Sequence, residues 1–170
     1  LMVDACVSWA RGYRVDGFRF DLMGHHTRAN MLAVRAALDD LTLGRDGVDG
    51  RAVTLYGEGW NFGEVAFNAR FVQATQGQLG GTGIATFNDR LRDAVRGGGW
   101  NADPRVKGLG TGLVTAWNGA VPDQNVNGSG ERLAHATDLI QLSLAGNLRS
   151  FRFGANSLGH QVRGDELRYG

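Results

Sequence analysis

Residues Arg14 to His26, RVDGFRFDLMGHH, decide the fold. Val15, Phe18 and Phe20 form an apolar face on a short, aromatic-rich run, which predicts a strand. The run ends on Arg19-Phe20-Asp21 and passes into a Gly-His-His turn. Upstream, Leu1 to Arg11 reads as a helix with apolar Met2, Val3, Cys6, Val7 and Ala10, closed by Gly12. Downstream, Asn30 is the expected cap of a second helix to about Leu41, with Met31, Val34, Leu38 and Leu41 as its stripe. Leu43 to Arg51 reads as a polar, Gly-rich loop. Ala52 to Tyr56 (AVTLY) is a continuous apolar run, expected to be a strand buried on both faces. A faint helical pattern over Glu64 to Val72 precedes a third strand at Ile84 to Phe87. Asn88 then caps a helix through Arg96, stopped by Gly97-Gly98-Gly99. After a Gly/Asn-rich loop to about Gly130, Glu131 to Ala145 reads as a helix. Its Leu133, Thr137, Ile140 and Leu144 line one side as core. Short strands are expected at Ser150 to Phe153 and Gln161 to Val162.

Strands alternating with helices imply a parallel α/β arrangement. Three strands do not complete an open sheet, but they fit a slice of a (β/α)8 barrel, a fold of about 250 residues. The chain has 170 residues, starts inside a helix and stops without a cap. Residues 1–170 are therefore expected to be part of one barrel domain, cut at both ends.

Composition narrows the function classes. The net charge is +1, which gives no reason to expect nucleic acid or an anionic membrane as partner. No stretch approaches the 18 or so apolar residues of a membrane span. The single cysteine, Cys6, excludes an internal disulfide framework and a cysteine-rich zinc site. The 17 arginines are scattered among the acidic residues, so they read as a compositional bias and not as a binding patch. GLGTG at 108 to 112 lacks the full dinucleotide-binding order and follows no strand. No P-loop or G-x-S-x-G is present in the sequence, and no His/Cys/carboxylate spacing suggests zinc.

In a barrel slice the chemistry sits at the C-terminal ends of the strands. Those ends read Arg19-Phe20-Asp21, Gly57-Glu58-Gly59-Trp60 and Phe87-Asn88-Asp89. Asp21 and Glu58 fall at equivalent positions on successive strands, about 4.8 Å apart in a sheet. Two carboxyl groups about 5 to 5.5 Å apart suit a retaining glycosidase. One attacks the anomeric carbon, and the other gives a proton to the leaving oxygen and then serves as base toward water. Arg19, two residues before Asp21, points to the same face and orients the nucleophile. Glu58 has no basic neighbour in sequence. Trp60 offers a flat face for a sugar ring, and His25 and His26 stand beside the pocket as sugar contacts. Asn88 and Asp89 sit at the third strand end and are carried as substrate-binding candidates, though they read most simply as a helix cap. Taken singly, an Arg-x-Asp on a strand is more often a structural ion pair, and a Glu among glycines more often a loop residue.

The pattern VDGFRFDLMGHH, Val15 to His26, resembles the nucleophile segment of the alpha-amylase superfamily, glycoside hydrolase family thirteen. YGEGW, Tyr56 to Trp60, is similar to its acid/base segment. With GTGIATFNDRLRDAVRGGG (Gly81 to Gly99) and SLAGNL (Ser143 to Leu148), the wording resembles type I pullulanases and plant limit dextrinases over nearly the whole chain. That resemblance implies roughly strands 4 to 6 of the barrel, and cleavage of α-1,6 linkages in pullulan, amylopectin and limit dextrins. It makes Asp21 the nucleophile, Glu58 the acid/base and Arg19 the arginine beside the nucleophile. His26 matches a pocket histidine, and Trp60 a tryptophan on the leaving-group side. His25 stands where relatives commonly carry tyrosine, and the loop Arg45 to Arg51 is longer than in several of them.

The resemblance requires no cofactor, although calcium sites occur in the superfamily. No compact ligand cluster in this sequence places one. The family's asparagine-histidine motif would lie upstream of Leu1, and its third carboxylate downstream of Gly170. Localisation stays open, leaning to secretion. The alternatives are another activity of the superfamily, isoamylase-like, branching or α-1,4-cleaving, and a non-catalytic glucan-binding relative.

Overall fold

The structure is a computed structural model that describes residues 1–99, 101–113, 129–146, 148, 150–155 and 160–163. The chain divides into two compact units, Leu1–Phe87 and Asn88–Gly170. Much of the loop expected between Gly99 and Gly130, and Asn147 of the SLAGNL stretch, lie outside the described residues.

The first unit holds a parallel three-stranded sheet, β1 (Gly17–Phe20), β2 (Thr54–Gly57) and β3 (Ile84–Thr86), in the order β1-β2-β3. The register pairs Phe18 with Leu55 and Arg19 with Tyr56, then Leu55 with Ile84 and Tyr56 with Ala85. Side chains alternate across a strand, so these pairs sort onto two faces. Leu55 and Ile84 are buried in one core with Met31, Val34 and Leu38. These three lie on α2 (Arg28–Asp39) at helical spacing, as expected. Helix α1 (Met2–Tyr13) adds Cys6 and Ala10 to the same core. The other face carries Arg19, Tyr56 and Ala85, all exposed. The expectation of a β2 buried on both faces is therefore corrected: Leu55 is buried, whereas Thr54 and Tyr56 are not.

Several element ends differ from the sequence reading. Gly12 lies inside α1, and Arg14 ends the helix in the left-handed region at φ 56°. Arg14 can take that role because its guanidinium reaches across to the carbonyl of Asp46 at 2.6 Å. The cap of α2 is Thr27, not Asn30, and its hydroxyl accepts the Asn30 N–H at 2.9 Å. The polar loop after α2 contains a one-turn helix, α3 (Leu43–Asp46), capped by Thr42. The faint pattern at Glu64 to Val72 is not a helix. It becomes a 3-10 run, Gly63–Asn68, broken at Ala66 and Phe67.

The second unit contains α4 (Asp89–Arg96), α5 (Ser129–Leu144) and an antiparallel pair, β4 (Arg152–Phe153) with β5 (Val162–Arg163). Asn88 caps α4 as expected, its side chain accepting the Leu91 N–H. Ala94, Leu113 and Ala136 form the core, with Leu133, Leu139 and Ile140 packed against them. Leu144 is exposed, which corrects its placement on the buried stripe, and Leu142 is buried instead.

Candidate active site

The site is built where β1 and β2 end. Phe20 pairs with Gly57, so Asp21 and Glu58 follow as the next pair in register. The backbone of Glu58 is fixed on both sides: its N–H donates to Phe20 O at 3.2 Å, and its carbonyl accepts from Gly24 N at 2.9 Å. Gly24 and Gly57 have to be glycine for this approach. A Cβ on Gly24 would lie 1.8 Å from Trp60 O, and one on Gly57 2.4 Å from Phe20 O. The glycines around Glu58 thus serve close packing of one strand end on the next.

Arg19 joins the two carboxylates. Its Nη1 donates to Asp21 Oδ1 at 2.5 Å, and its Nη2 to Glu58 Oε1 at 3.1 Å. The hydrogen bond to Asp21, followed by the charges of Asp21 and Glu58, holds the guanidinium above its ordinary arginine value. Glu58 Oε2 accepts the Leu22 N–H at 2.7 Å. The Asp21 side chain is 71% exposed and that of Glu58 21%. Sequence placed Arg19 beside Asp21 only. The structure gives Glu58 the same basic neighbour, because register and not chain distance brings it there.

Aromatic rings cluster beside Arg19. The Arg19 guanidinium lies over the Phe87 ring, 5.7 Å from its centroid. Trp60 stacks on Phe87 at 6.3 Å with 21° between planes, and Tyr56 meets Phe87 edge-on at 5.7 Å. His25 stacks flat on Phe62, with centroids 5.2 Å apart and planes at 5°. His26 meets Phe20 edge-on. Burial first, and then the charge of His25, push His26 below its ordinary value, which favours the neutral imidazole. A neutral imidazole both donates and accepts a hydrogen bond. The indole Nε1 of Trp60 is buried and has no hydrogen-bond partner among the described residues.

Sequence reasoning missed Tyr56, Phe62, Phe87 and the Leu22 amide. Tyr56 was legible, since it stands two residues before Glu58 on the open face. Gln73 was also missed and had no sequence signal. It is fully buried and donates to Gly24 O at 2.8 Å. It also exchanges two hydrogen bonds with Asn68. That clip ties the loop after Trp60 to the turn that carries His25. Asn88 and Asp89 lie in the second unit. There Asn88 also contacts Ser143 of α5 through hydrogen bonds at the long end of the range. A cavity of about 490 Å³ between α4 and α5, bordered by Ala94, Leu113 and His135, contains no member of the Arg19 cluster. Among the described residues no three His, Cys, Asp or Glu side chains come together to hold a metal ion. No described helix is long and apolar enough to cross a membrane.

Fold and site together define a parallel α/β protein with an arginine-bridged carboxylate pair at its strand ends. No family model matches the chain. It is 44% identical over 98% of its length to the chloroplastic pullulanase 1 of Arabidopsis thaliana, of which it spans 17%. It is 37% identical over 99% of its length to the pullulanase of Klebsiella aerogenes, of which it spans 14%. The crystal structure of PulA from Klebsiella oxytoca matches with a TM-score of 0.77 at 35% identity, covering 99% of this chain and 15% of that one. A maltotriose complex of PulA from Klebsiella pneumoniae matches with a TM-score of 0.75 at 36% identity, covering 99% and 17%. The chain is homologous to pullulanases, and it spans about one sixth of the length of these relatives.

Proposed function

We propose that this chain is the part of a starch-debranching glycoside hydrolase that carries the nucleophile and the acid/base, within a longer parent enzyme. In that enzyme residues 1–170 form roughly strands 4 to 6 of a (β/α)8 barrel and belong to one catalytic domain. The substrates are α-glucans with α-1,6 linkages: pullulan, amylopectin and limit dextrins. One observation carries the reading. A single arginine bridges Asp21 and Glu58 at the ends of neighbouring parallel strands, in a chain homologous to pullulanases. The maltotriose bound by a homologous PulA supports α-glucan as the ligand class.

The mechanism is a double displacement with retention. Asp21 attacks the anomeric carbon as Glu58 gives its proton to the glycosidic oxygen. The C1–O bond breaks, its electron pair stays on that oxygen, and a glycosyl ester forms on Asp21. Glu58, now a carboxylate, takes a proton from water. The water attacks C1, and Asp21 leaves as a carboxylate. Arg19 holds Asp21 in position for attack. Trp60 packs against the leaving sugar, while His25 and His26 contact hydroxyls of the retained one. By resemblance, the third carboxylate comes from elsewhere in the parent enzyme. No step needs a cofactor.

The test is product analysis with the parent enzyme on pullulan and on amylose. New reducing ends from pullulan alone, released first as the α-anomer, support the reading. Release from amylose alone points to an α-1,4 activity, and glucan binding without turnover to a non-catalytic relative. Expressed alone, the 170-residue chain is expected to be poorly soluble and inactive. Its open sheet face and two strand edges lack their barrel neighbours. Pullulan hydrolysis by the purified chain would refute that.

A further inference from the structure

We infer that the backbone N–H of Leu22 is a positioning group for proton transfer by Glu58. The inference rests on the acid/base role proposed for Glu58. Backbone and side chain together, Glu58 hydrogen-bonds to Phe20, Gly24, Arg19 and Leu22, all on the segment that ends β1 and leaves it. The Leu22 bond is the shorter of the two on the carboxylate, 2.7 Å against 3.1 Å from Arg19.

Leu22 achieves this in a conformation that leucine avoids. Its φ and ψ are 46° and 41°, in the left-handed region. A non-glycine residue there is strained. The side chain does not offset that through burial, since Leu22 is 45% exposed. What the conformation provides is a reversal of the chain just after the Leu22 N–H has met Glu58 Oε2, which brings the Gly24 N–H back to Glu58 O at 2.9 Å. One backbone corner therefore presents the nucleophile through a side chain and grips the acid/base through a main-chain donor. The spacing between the two reacting groups is then set by adjacent residues of one strand end.

The two donors on Glu58 differ in kind. Arg19 is a flexible side chain that is shared with Asp21, whereas the Leu22 amide is fixed in the backbone and cannot follow another acceptor. Oε2 is thus the anchored oxygen, and Oε1 is the one that carries the proton toward the glycosidic oxygen when Arg19 stays with Asp21.

The experiment uses the parent enzyme and two substrates. Pullulan needs its leaving oxygen protonated, whereas an α-glycosyl fluoride of maltotriose loses fluoride with little help from an acid. The amide-to-ester replacement at Leu22 puts an oxygen in place of the N–H and leaves every side chain unchanged. Its kcat/KM on pullulan is expected to fall about tenfold or more, because small misplacements of a reacting group carry large penalties. Its kcat/KM on the fluoride is expected to hold within about twofold of the native enzyme on the same argument. Leu22→Ile, whose branched side chain disfavours positive φ, gives the same selective loss if the ester form does not fold. Leu22→Gly keeps both donor and φ, and its ratio of the two kcat/KM values stays at the native one. Equal losses on both substrates, or no loss, overturn the inference. Glu58→Gln separates the two levels. If it loses pullulan activity selectively while the ester form does not, only the Leu22 inference fails. If Glu58→Gln shows no selective loss, the proposed role of Glu58 itself fails.

Discussion

Two arginine–carboxylate clusters lie on opposite sides of the same small sheet in chain order. One is on the segments leaving β1 and β2, the other on the segments leading into them. In the second, Asp46 of α3 is only 3% exposed at its side chain. Its Oδ1 takes the Arg11 Nε–H at 2.9 Å, and its Oδ2 takes Thr42 N–H and Arg45 Nε–H, each at 2.9 Å. Arg45 also hydrogen-bonds to Asp40. Every oxygen of Asp46 is spoken for. In the first cluster, Asp21 has one arginine and an open side. The residue types are the same, but Asp46 is only 3% exposed and takes three donors, whereas Asp21 is 71% exposed and has room on its open side to meet a carbon atom.

The sharpest way to break this contrast is to neutralise each aspartate in the parent enzyme. Under the proposed nucleophile role, Asp21→Asn is expected to lower kcat on pullulan by about 10⁴-fold or more, with no change in melting temperature. Asp46→Asn is expected to do the reverse, lowering the melting temperature and leaving kcat intact. Steady-state kinetics and thermal unfolding of both variants check the pair. A smaller effect is expected from Arg19→Lys. The charge stays, but one ammonium cannot fork to Asp21 and Glu58 at once. A loss of about 10²-fold in kcat fits a displaced reacting group. Native-like kcat in Arg19→Lys would mean that the bridge has no role beyond charge.

The geometry of the Arg19 cluster was the more legible of the two, for a physical reason. Asp21 and Glu58 follow strands whose alternation and register are periodic, so Phe18, Arg19 and Asp21 could be sorted by face without coordinates. The stripe Met31, Val34, Leu38 and Leu41 was legible for the same reason. The structural cluster was not. Asp46 depends on Arg11 and Arg14, more than 30 residues away, through a loop that no periodicity governs. Thr27 won the cap of α2 over Asn30 by three residues, a shift that periodicity does not resolve. Glu58's contact with Arg19 also needed three dimensions, since 39 residues separate them. The open face of β2 was misread because an apolar run does not say whether its second face is covered.

A neighbouring arginine extends the structural side of the comparison. Arg35 of α2 donates to Val53 O at 2.6 Å and to Gly50 O at 2.5 Å, just before β2 begins. Its side chain is largely buried, so its removal takes the Arg35 donor from Val53 O, while Gly50 O keeps the Val53 N–H at 3.2 Å. Arg35→Met is expected to destabilise the domain by about 2–3 kcal/mol, read as a shift in the urea midpoint, with kcat on pullulan unchanged. A fall in kcat without a fall in stability would tie β2's position to the chemistry and blur the contrast.

The smallest effect expected is a pH dependence confined to the structural cluster. The Thr42 N–H, then Arg11 and Arg45, hold the Asp46 carboxyl below its ordinary value of 3.8, against the burial that pushes it up. A carboxyl lowered on folding binds fewer protons in the folded state than in the unfolded state at acid pH. The unfolded state therefore gains as pH falls. The stability from Asp46 is fully present above about pH 4 to 5, where both states are ionised, and it is lost as pH falls through the lowered folded value. Asp46→Asn removes this contribution at every pH. Stability curves of native and Asp46→Asn enzyme should run apart above pH 5 and converge as pH drops below 4. The separation is small beside the kinetic effects because two arginines with outer ends in solvent share the interaction. Curves that stay parallel into acid would mean that Asp46 acts through packing and not through charge. The two clusters would then differ in chemistry as well as in openness.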